Sequence, residues 1–489
     1  MPNLQQKLTS APSIKKSLAL STAYQVLSLI VPLISTPYIS RVLGADGVGI
    51  YSFTSSIATY FTMFAALGTM GYGAREIARA RDDRKRLSQL FWEIESLVVL
   101  STLVCTVAWS IWIMFAPEYN ILYVILTMTL LNTIADISWF FTGMELFKYI
   151  VLRNSTVKIA GVILLFILIK EKSDLELYVF LMSLTTITGS LSMWLYIPKF
   201  VNRVDWKTLH IKRHFKETLV YFFPAVATSI YTVLNKVLLG FMGEDIRENG
   251  YYEMVTRIIT MAQALTYAAL NSVLGSRISY LFSENKIEEI HQRINKSLHY
   301  ILFVGLGMSF GIMAISPIFI PWFFGTDFSD AVLLLQLLSP IVLIIGISNC
   351  LGSQYYIPAG LRKKSAQYIV VGSALNLLLN ILLIPYYGAI GAVVGSLVAE
   401  SSITLLYLWN CNGFMKIEQI ARYGWDKIVA ALLMFFWIHI LSNSIADPTW
   451  SIIISIITGA SIYTLLLLLF KDTFMIGSVK YVYNKIMNK

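Results

Sequence analysis

The sequence predicts an all-α integral membrane protein of about fourteen transmembrane helices, and three observations predict it. The 489 residues are 56% hydrophobic and only 13% charged, with a mean hydropathy of +0.67. A soluble globular protein carries about 25% charged residues. Apolar runs recur at the length of roughly 20 residues that a helix needs to cross the hydrocarbon core. Thirty of the 38 Lys and Arg residues fall on one side when each run crosses once. Cytoplasmic loops collect Lys and Arg, so the bias puts both termini inside. The inside charges cluster at 7–16, 75–86, 148–153, 199–216, 286–296, 362–364, 416–427 and 471–489. A wrong number of spans would scramble this alternation.

The expected spans, in order, are 18–40, 48–70, 89–115, 119–142, 154–170, 176–197, 218–241, 251–280, 298–319, 331–352, 366–385, 389–410, 427–442 and 450–470. With short loops they use nearly the whole chain and leave no room for a sizeable soluble domain. Outside loops are short and acidic, with Glu171, Asp174 and Glu176, then Glu244, Asp245 and Glu248, then Asp327 and Asp330. A cleaved signal peptide is not expected. The first apolar segment is too long for the h-region of one and lacks an A-x-A site before the second span.

The longest inside connection runs from Pro198 to Thr218. It is basic, with Phe200, Val204, Trp206, Leu209 and Ile211 interleaved, the pattern of an amphipathic helix lying at the interface. It divides the chain into an N-terminal lobe (1–197, spans 1–6), a cytoplasmic linker (198–217) and a C-terminal lobe (218–410, spans 7–12). An appended pair of spans and a cytoplasmic tail follow (411–489).

Internal repetition supports the division. WFFTGMELFKY (Trp139 to Tyr149) and QYYIPAGLRKK (Gln354 to Lys364) each place an aromatic pair before a Gly and a basic end. Each then leads into an apolar helix. Arg41 precedes Gly44, with Gly49 and Tyr51 opening span 2. Likewise Lys236 precedes Gly240, with Gly250 and Tyr251 opening span 8. Six spans per lobe is an even number, so the repeat is parallel, about an axis along the membrane normal.

Composition excludes several classes. The net charge of +10 is accounted for by the cytoplasmic bias, so no nucleic-acid partner is expected. The basic loops suit the anionic lipids of the inner leaflet. Cys105, Cys350 and Cys411 are far apart, and none of the five His residues forms a ligand pair, so neither a disulfide framework nor a metal site is expected. No cofactor is expected beyond coupling to H⁺ or Na⁺.

Ionisable groups inside a bilayer cost several kcal/mol unless paired or hydrated, so they mark candidate pathways. Arg41 sits at the outer end of span 1 and Lys236 at the matching place in span 7. Arg257 lies in the outer part of span 8, and Lys158 near the inner end of span 5. Arg41 and Lys158 either line a cavity or snorkel to the interface. Lys236 and Arg257 point to a lumen-facing role, with a local pair between Glu253 and Arg257, four apart on one helix, as the alternative. Asp136, Glu253 and Glu400 are the candidates for ion coupling, against helix–helix hydrogen bonding. Gln25, Asn235, Gln263 and Asn271 either line a polar cavity or fasten helices. Pro32, Pro37 and Pro224, in the first span of each lobe, mark possible bends. The GLGMSFG run (Gly305 to Gly311) permits close helix packing and lacks the strand–turn–helix context of a nucleotide loop.

The segments YISRVLGADGVGIYSF (Tyr38 to Phe53), FAALGTMGYGAREIARARDD (Phe64 to Asp83) and WFFTGMELFKY resemble the Wzx-type polysaccharide flippases of the multidrug/oligosaccharidyl-lipid/polysaccharide exporter superfamily. The resemblance is continuous over roughly the first two hundred residues. It implies a multidrug-exporter-like (MATE-like) fold, with two six-helix lobes around a central cavity and a C-terminal helix pair. It implies a non-enzymatic flippase of undecaprenyl-diphosphate-linked oligosaccharide repeat units in the bacterial cytoplasmic membrane, for capsular or exopolysaccharide synthesis. Expected partners are that substrate, membrane lipids, and the polysaccharide polymerase and chain-length regulators. Basic cavity residues in relatives are taken to receive the diphosphate. Arg41, Lys236, Arg257 and Lys158 are the positions here that could play that part.

A multidrug or lipid II transporter is the rival within the class, and a drug exporter would favour an acidic cavity. A membrane enzyme would need a large external loop or domain, which the short outside loops argue against. A non-transporting scaffold of the polysaccharide machinery leaves the paired intramembrane charges unexplained.

Overall fold

The computed structural model describes residues 14–487. Its side chains are described except at 14–26, 29 and positions within 224–231, 268–276 and 478–486. The side chains of Gln25, Pro224 and Asn271 lie outside the described residues. Every regular element among the described residues is helical. Nine helices among them are long and apolar enough to cross a membrane. The fourteen expected spans are compatible with this set, because single helical segments hold more than one span. The chain forms two compact units, Met1–Val237 and Leu238–Lys489.

In the first unit, α1 (Ile14–Ala66) holds the first two expected spans. The expected outside loop between them is a corner at one residue. Gly44 adopts φ 69 and ψ −178, a conformation open to Gly because it has no Cβ. Pro32 and Pro37 lie inside the first arm. A second left-handed pair, Leu67 and Gly68, ends α1 and starts α2 (Thr69–Ala80). Next, α3 (Arg84–Phe115) begins at Asp83, whose carboxylate accepts from the Lys85 and Arg86 amides. This satisfies donors that a helix start leaves orphaned. Then come α4 (Asn120–Ala135), α5 (Ser138–Gly143), α6 (Phe147–Leu168) and α7 (Leu175–Trp194). Buried Phe91, Trp139, Phe140 and Phe141 pack with Ile77, Ile94 and Met193 into the core at one end of this unit.

The segment after α7 corrects the expectation of one interfacial helix. It contains only the short turns Ile197–Lys199 and Trp206–Thr208 before α8 (Lys212–Thr232). Its backbone groups are committed to α3 instead. The Asn202 amide donates to Ser88 Oγ at 2.9 Å, and the Asn202 carbonyl accepts from Trp92 Nε1 at 3.1 Å. Such backbone groups are no longer available for a helical ladder. The chain then breaks at Val233, and α9 (Leu234–Met242) follows.

In the second unit, α10 (Ile246–Gln263) and α11 (Ala269–Ser283) are joined by a π-helical turn at Ala264–Ala268. Then come α12 (Ile287–Phe324), α13 (Ala331–Leu338) and α14 (Ile341–Leu351). The break between the last two falls at Ser339 and Pro340, and Pro340 has no amide proton to continue the ladder. The 48-residue α15 (Arg362–Trp409) holds two expected spans and turns at Gly388, φ 51. The set closes with α16 (Ile417–Ser444), α17 (Pro448–Leu469) and α18 (Thr473–Met487). The expected close-packing run is in place: a Cβ at Gly305 or Gly307 would lie 3.0 Å from Leu343 or Tyr463.

The two repeat-related turns have the same local geometry. Glu145 (φ 58) and Gly360 (φ 77) are both left-handed. Leu146 N–H donates to the Phe141 carbonyl at 2.9 Å, and Leu361 N–H to the Tyr356 carbonyl at 2.8 Å. The other match does not carry over, because Gly240 is helical within α9 and the turn comes after Met242.

Candidate functional site

The candidate cations occupy different settings. Arg41 is exposed on α1, three residues before the Gly44 corner. Lys158 is half-buried on α6 and donates to Ser28 Oγ at 2.8 Å. Lys236 is half-buried on α9, directly after the break at Val233. In the second unit, Arg257 Nε lies 2.8 Å from Glu253 Oε1, the spacing of four residues seen in the sequence realised as an ion pair.

The three candidate acids differ as well. Asp136 ends α4, where it accepts from the Ser138 amide and from Arg153 NH1, each at 3.0 Å. One aspartate therefore both stops a helix and neutralises a cation. Glu253 is 9% exposed and serves Arg257. Glu400 is 7% exposed on α15, where the neighbouring Ser396 and Thr404 hydroxyls bond within the helix, to the carbonyls of Ala392 and Glu400. Among the described residues no group of three His, Cys, Asp or Glu could hold a metal ion.

Sequence reasoning missed a dense polar cluster at one end of the first unit, among the described residues. Glu93 on α3 has no exposed surface. Its carboxylate accepts from Gln89 Nε2 at 3.0 Å, the His210 amide at 2.9 Å, Arg213 NH2 at 2.5 Å and His214 Nε2 at 2.7 Å. His214 Nδ1 lies 2.6 Å from the Tyr72 hydroxyl. Burial pushes the His214 pKa below its ordinary 6.5, and hydrogen bonding to Glu93 acts in the opposite direction. Burial likewise raises the Tyr72 pKa. The available signal was the i, i+4 pair His210 and His214 in the linker, whose partner sits more than a hundred residues earlier.

An apolar cavity of about 470 Å³ lies among α12, α16 and α17, lined in part by Phe303, Gly307, Met434, Ile438 and Tyr463. It has the shape and chemistry to take an alkyl chain.

Comparison with known proteins agrees with this helical plan. A family model described as "Polysaccharide biosynthesis protein" matches residues 14–281, and one described as "Lipid II flippase MurJ" matches residues 155–461. A curated relative from Escherichia coli (strain K12), named "Putative O-antigen transporter", is 24% identical over 406 residues, covering 82% of this chain and 97% of that protein. The solved structure of the lipid II flippase MurJ in an inward closed conformation superposes with a TM-score of 0.73 at 17% identity, covering 93% of this chain and 99% of that one. An inward-facing MATE family transporter superposes at 0.58 with 15% identity, covering 79% and 98%. These two likenesses show an all-α fold of the MurJ and MATE kind. With the polysaccharide-biosynthesis match running through more than half of its length, the chain is a multi-pass membrane protein that belongs to the Wzx-type polysaccharide flippases of the multidrug/oligosaccharidyl-lipid/polysaccharide exporter superfamily.

Proposed function

We propose that this protein flips undecaprenyl-diphosphate-linked oligosaccharide repeat units across the bacterial cytoplasmic membrane, by alternating access, for capsular or exopolysaccharide synthesis. Both termini lie in the cytoplasm. The observation that carries the reading is the presence of half-buried cations, Lys158 on α6 and Arg257 on α10, in a chain from a flippase family. The task is to move a charged, hydrated head group through about 30 Å of hydrocarbon. Arg41, Lys158, Lys236 and Arg257 counter the diphosphate, by an attraction stronger in a low-dielectric cavity than in water. The apolar cavity of the second unit accepts part of the polyprenyl chain. No covalent step is involved. Asp136, Glu253 and Glu400 are the groups available for H⁺ or Na⁺ coupling. The polymerase and the chain-length regulators receive the flipped product.

Lys236→Ala and Arg257→Ala are expected to reduce surface polysaccharide at normal protein level. Wild-type flipping rates in both purified variants would overturn the cavity reading. The MurJ match over residues 155–461 favours one second reading, transport of lipid II. Complementation separates the two: rescue of cells lacking their lipid II flippase, without rescue of cells lacking a polysaccharide flippase, would replace the first reading with the second.

A further inference from the structure

A cleft of about 330 Å³ lies between α6 and α7 in the first unit, apart from the cations assigned to the diphosphate. That volume is at the lower end of the range of about 300–1,000 Å³ for small-ligand sites. Its α6 wall includes Tyr149 and Arg153, and the opposite wall includes Thr185, Thr188 and Ser192 of α7 and Tyr196 just past its end. On each helix these positions recur at three- and four-residue spacing, so they form one stripe. The stripe starts at Tyr149 and Tyr196, whose ring centroids are 4.6 Å apart beside the basic loops, and runs into the span. Close approach of the helices keeps the floor tight, since a Cβ at Gly189 would lie 2.2 Å from Val157 Cγ2.

The hydrogen-bond directions select the ligand. Thr185, Thr188 and Ser192 each donate their single hydroxyl proton to a carbonyl of their own helix. Their oxygens are left facing a ligand as acceptors. Phosphate oxygens are acceptors too and gain nothing from such groups. A polyol, whose O–H groups donate, matches them. Arg153 adds the complementary function. Its Nε is held by Asn154 at 2.8 Å and its NH1 by Asp136 at 3.0 Å, and its NH2 group is outside these contacts, available to a sugar oxygen. The paired tyrosines offer ring faces to the C–H surface of a pyranose.

We propose that this cleft is a carbohydrate subsite that takes a sugar residue of the lipid-linked substrate on the cytoplasmic side, separate from the cations assigned to the diphosphate. The proposal rests on the flippase reading. Another source of a polyhydroxylated head group at that leaflet is a phospholipid such as phosphatidylglycerol.

The test uses the full-length protein in nanodiscs and two probes: undecaprenyl diphosphate carrying one N-acetylhexosamine, and undecaprenyl diphosphate alone. Thr185→Val combined with Thr188→Val removes two acceptor oxygens at nearly constant shape. With net contributions of about 1 kcal/mol for each of the two hydrogen bonds, it should weaken the sugar-bearing probe by about thirtyfold and leave the bare diphosphate unchanged. Thr185→Ser with Thr188→Ser keeps the oxygens and should bind as wild type. Equal affinity of the Val variant and wild type for the sugar-bearing probe overturns the proposal, as does an equal loss for both probes. Displacement of the sugar-bearing probe by 30% phosphatidylglycerol in wild type, lost in the Val variant, also overturns it in favour of a phospholipid site. Sugar-selective binding that persists in a wild-type protein unable to flip either probe in liposomes supports the subsite and places the failure on the flippase reading.

Discussion

His214 and Glu93 form a buried pair 2.7 Å apart that joins the start of α8 to α3. The other ring nitrogen of His214 is taken by Tyr72 of α2, so one imidazole fastens three helices. The charged neighbours are Arg213 and Glu76.

This pair gives the linker a pH dependence. The folded-state pKa of His214 lies below its unfolded value, so the undocked state binds the proton more tightly. The docking contribution is present above the ordinary value of 6.5 and is lost as pH falls through the lower folded value. Hydrogen exchange of residues 198–217 should quicken as pH falls from 6.5 toward that lower value, after correction for intrinsic exchange. His214→Phe should flatten the trend. An unchanged pH profile in that variant would remove His214 as the cause.

Lys427 was counted among the inside loop charges, yet it has no exposed surface. It bonds Asp472 Oδ2 at 2.5 Å and the Tyr423 carbonyl at 2.8 Å. Breaking a buried pair leaves an uncompensated charge at a cost of about 3–5 kcal/mol. Lys427→Met should therefore lower the Tm of the detergent-solubilised protein strongly. Lys427→Met combined with Asp472→Leu should recover most of the loss. A single variant as stable as wild type would show the pair to be neutral.

The corner at Gly388 is sealed by an acid. Glu248 Oε2 accepts from the Ala389 amide at 2.8 Å, and a Cβ at Gly388 would lie 1.7 Å from that same oxygen. Gly388→Ala meets both this overlap and a left-handed backbone, a penalty of about 1–2 kcal/mol for the backbone alone. Thermal unfolding should show the variant destabilised, with partial relief when Glu248→Ala is added. No relief in the double variant would mean the backbone penalty acts alone.

Glu400 tests ion coupling. Glu400→Gln keeps the shape of a buried carboxyl and removes its charge change. If Glu400 carries the coupling ion, flipping by the variant in liposomes should lose its response to an imposed proton gradient while gradient-free exchange persists. A wild-type gradient response would exclude it from coupling.

Much of this architecture was legible in the sequence because hydropathy and charge repeat along the chain. The same holds for the turns at Glu145 and Gly360, where an aromatic pair and a basic helix start recur together. The Glu253–Arg257 pair was legible because four residues make one helical turn. Arg153 was not. It reads as one more loop cation, and only the ending of α4 at Asp136, seventeen residues earlier, turns it into a buried partner. Glu93 was equally hidden, since an acid near the end of a span says nothing about a linker that returns 121 residues later. The corners at Gly44 and Gly388 were read as short loops because a left-handed glycine leaves no mark on hydropathy.

Gly44 also bears on how the protein is made. Two helical arms joined at one residue have no slack between them. If both arms span the membrane, they are expected to leave the translocon together, as a hairpin, while the ribosome is still adding the rest of the chain. Extra residues placed at Gly44 would uncouple the arms and should appear first as failed membrane integration, before any loss of transport. On that expectation, an early step in the biogenesis of this protein is set by a residue without a side chain.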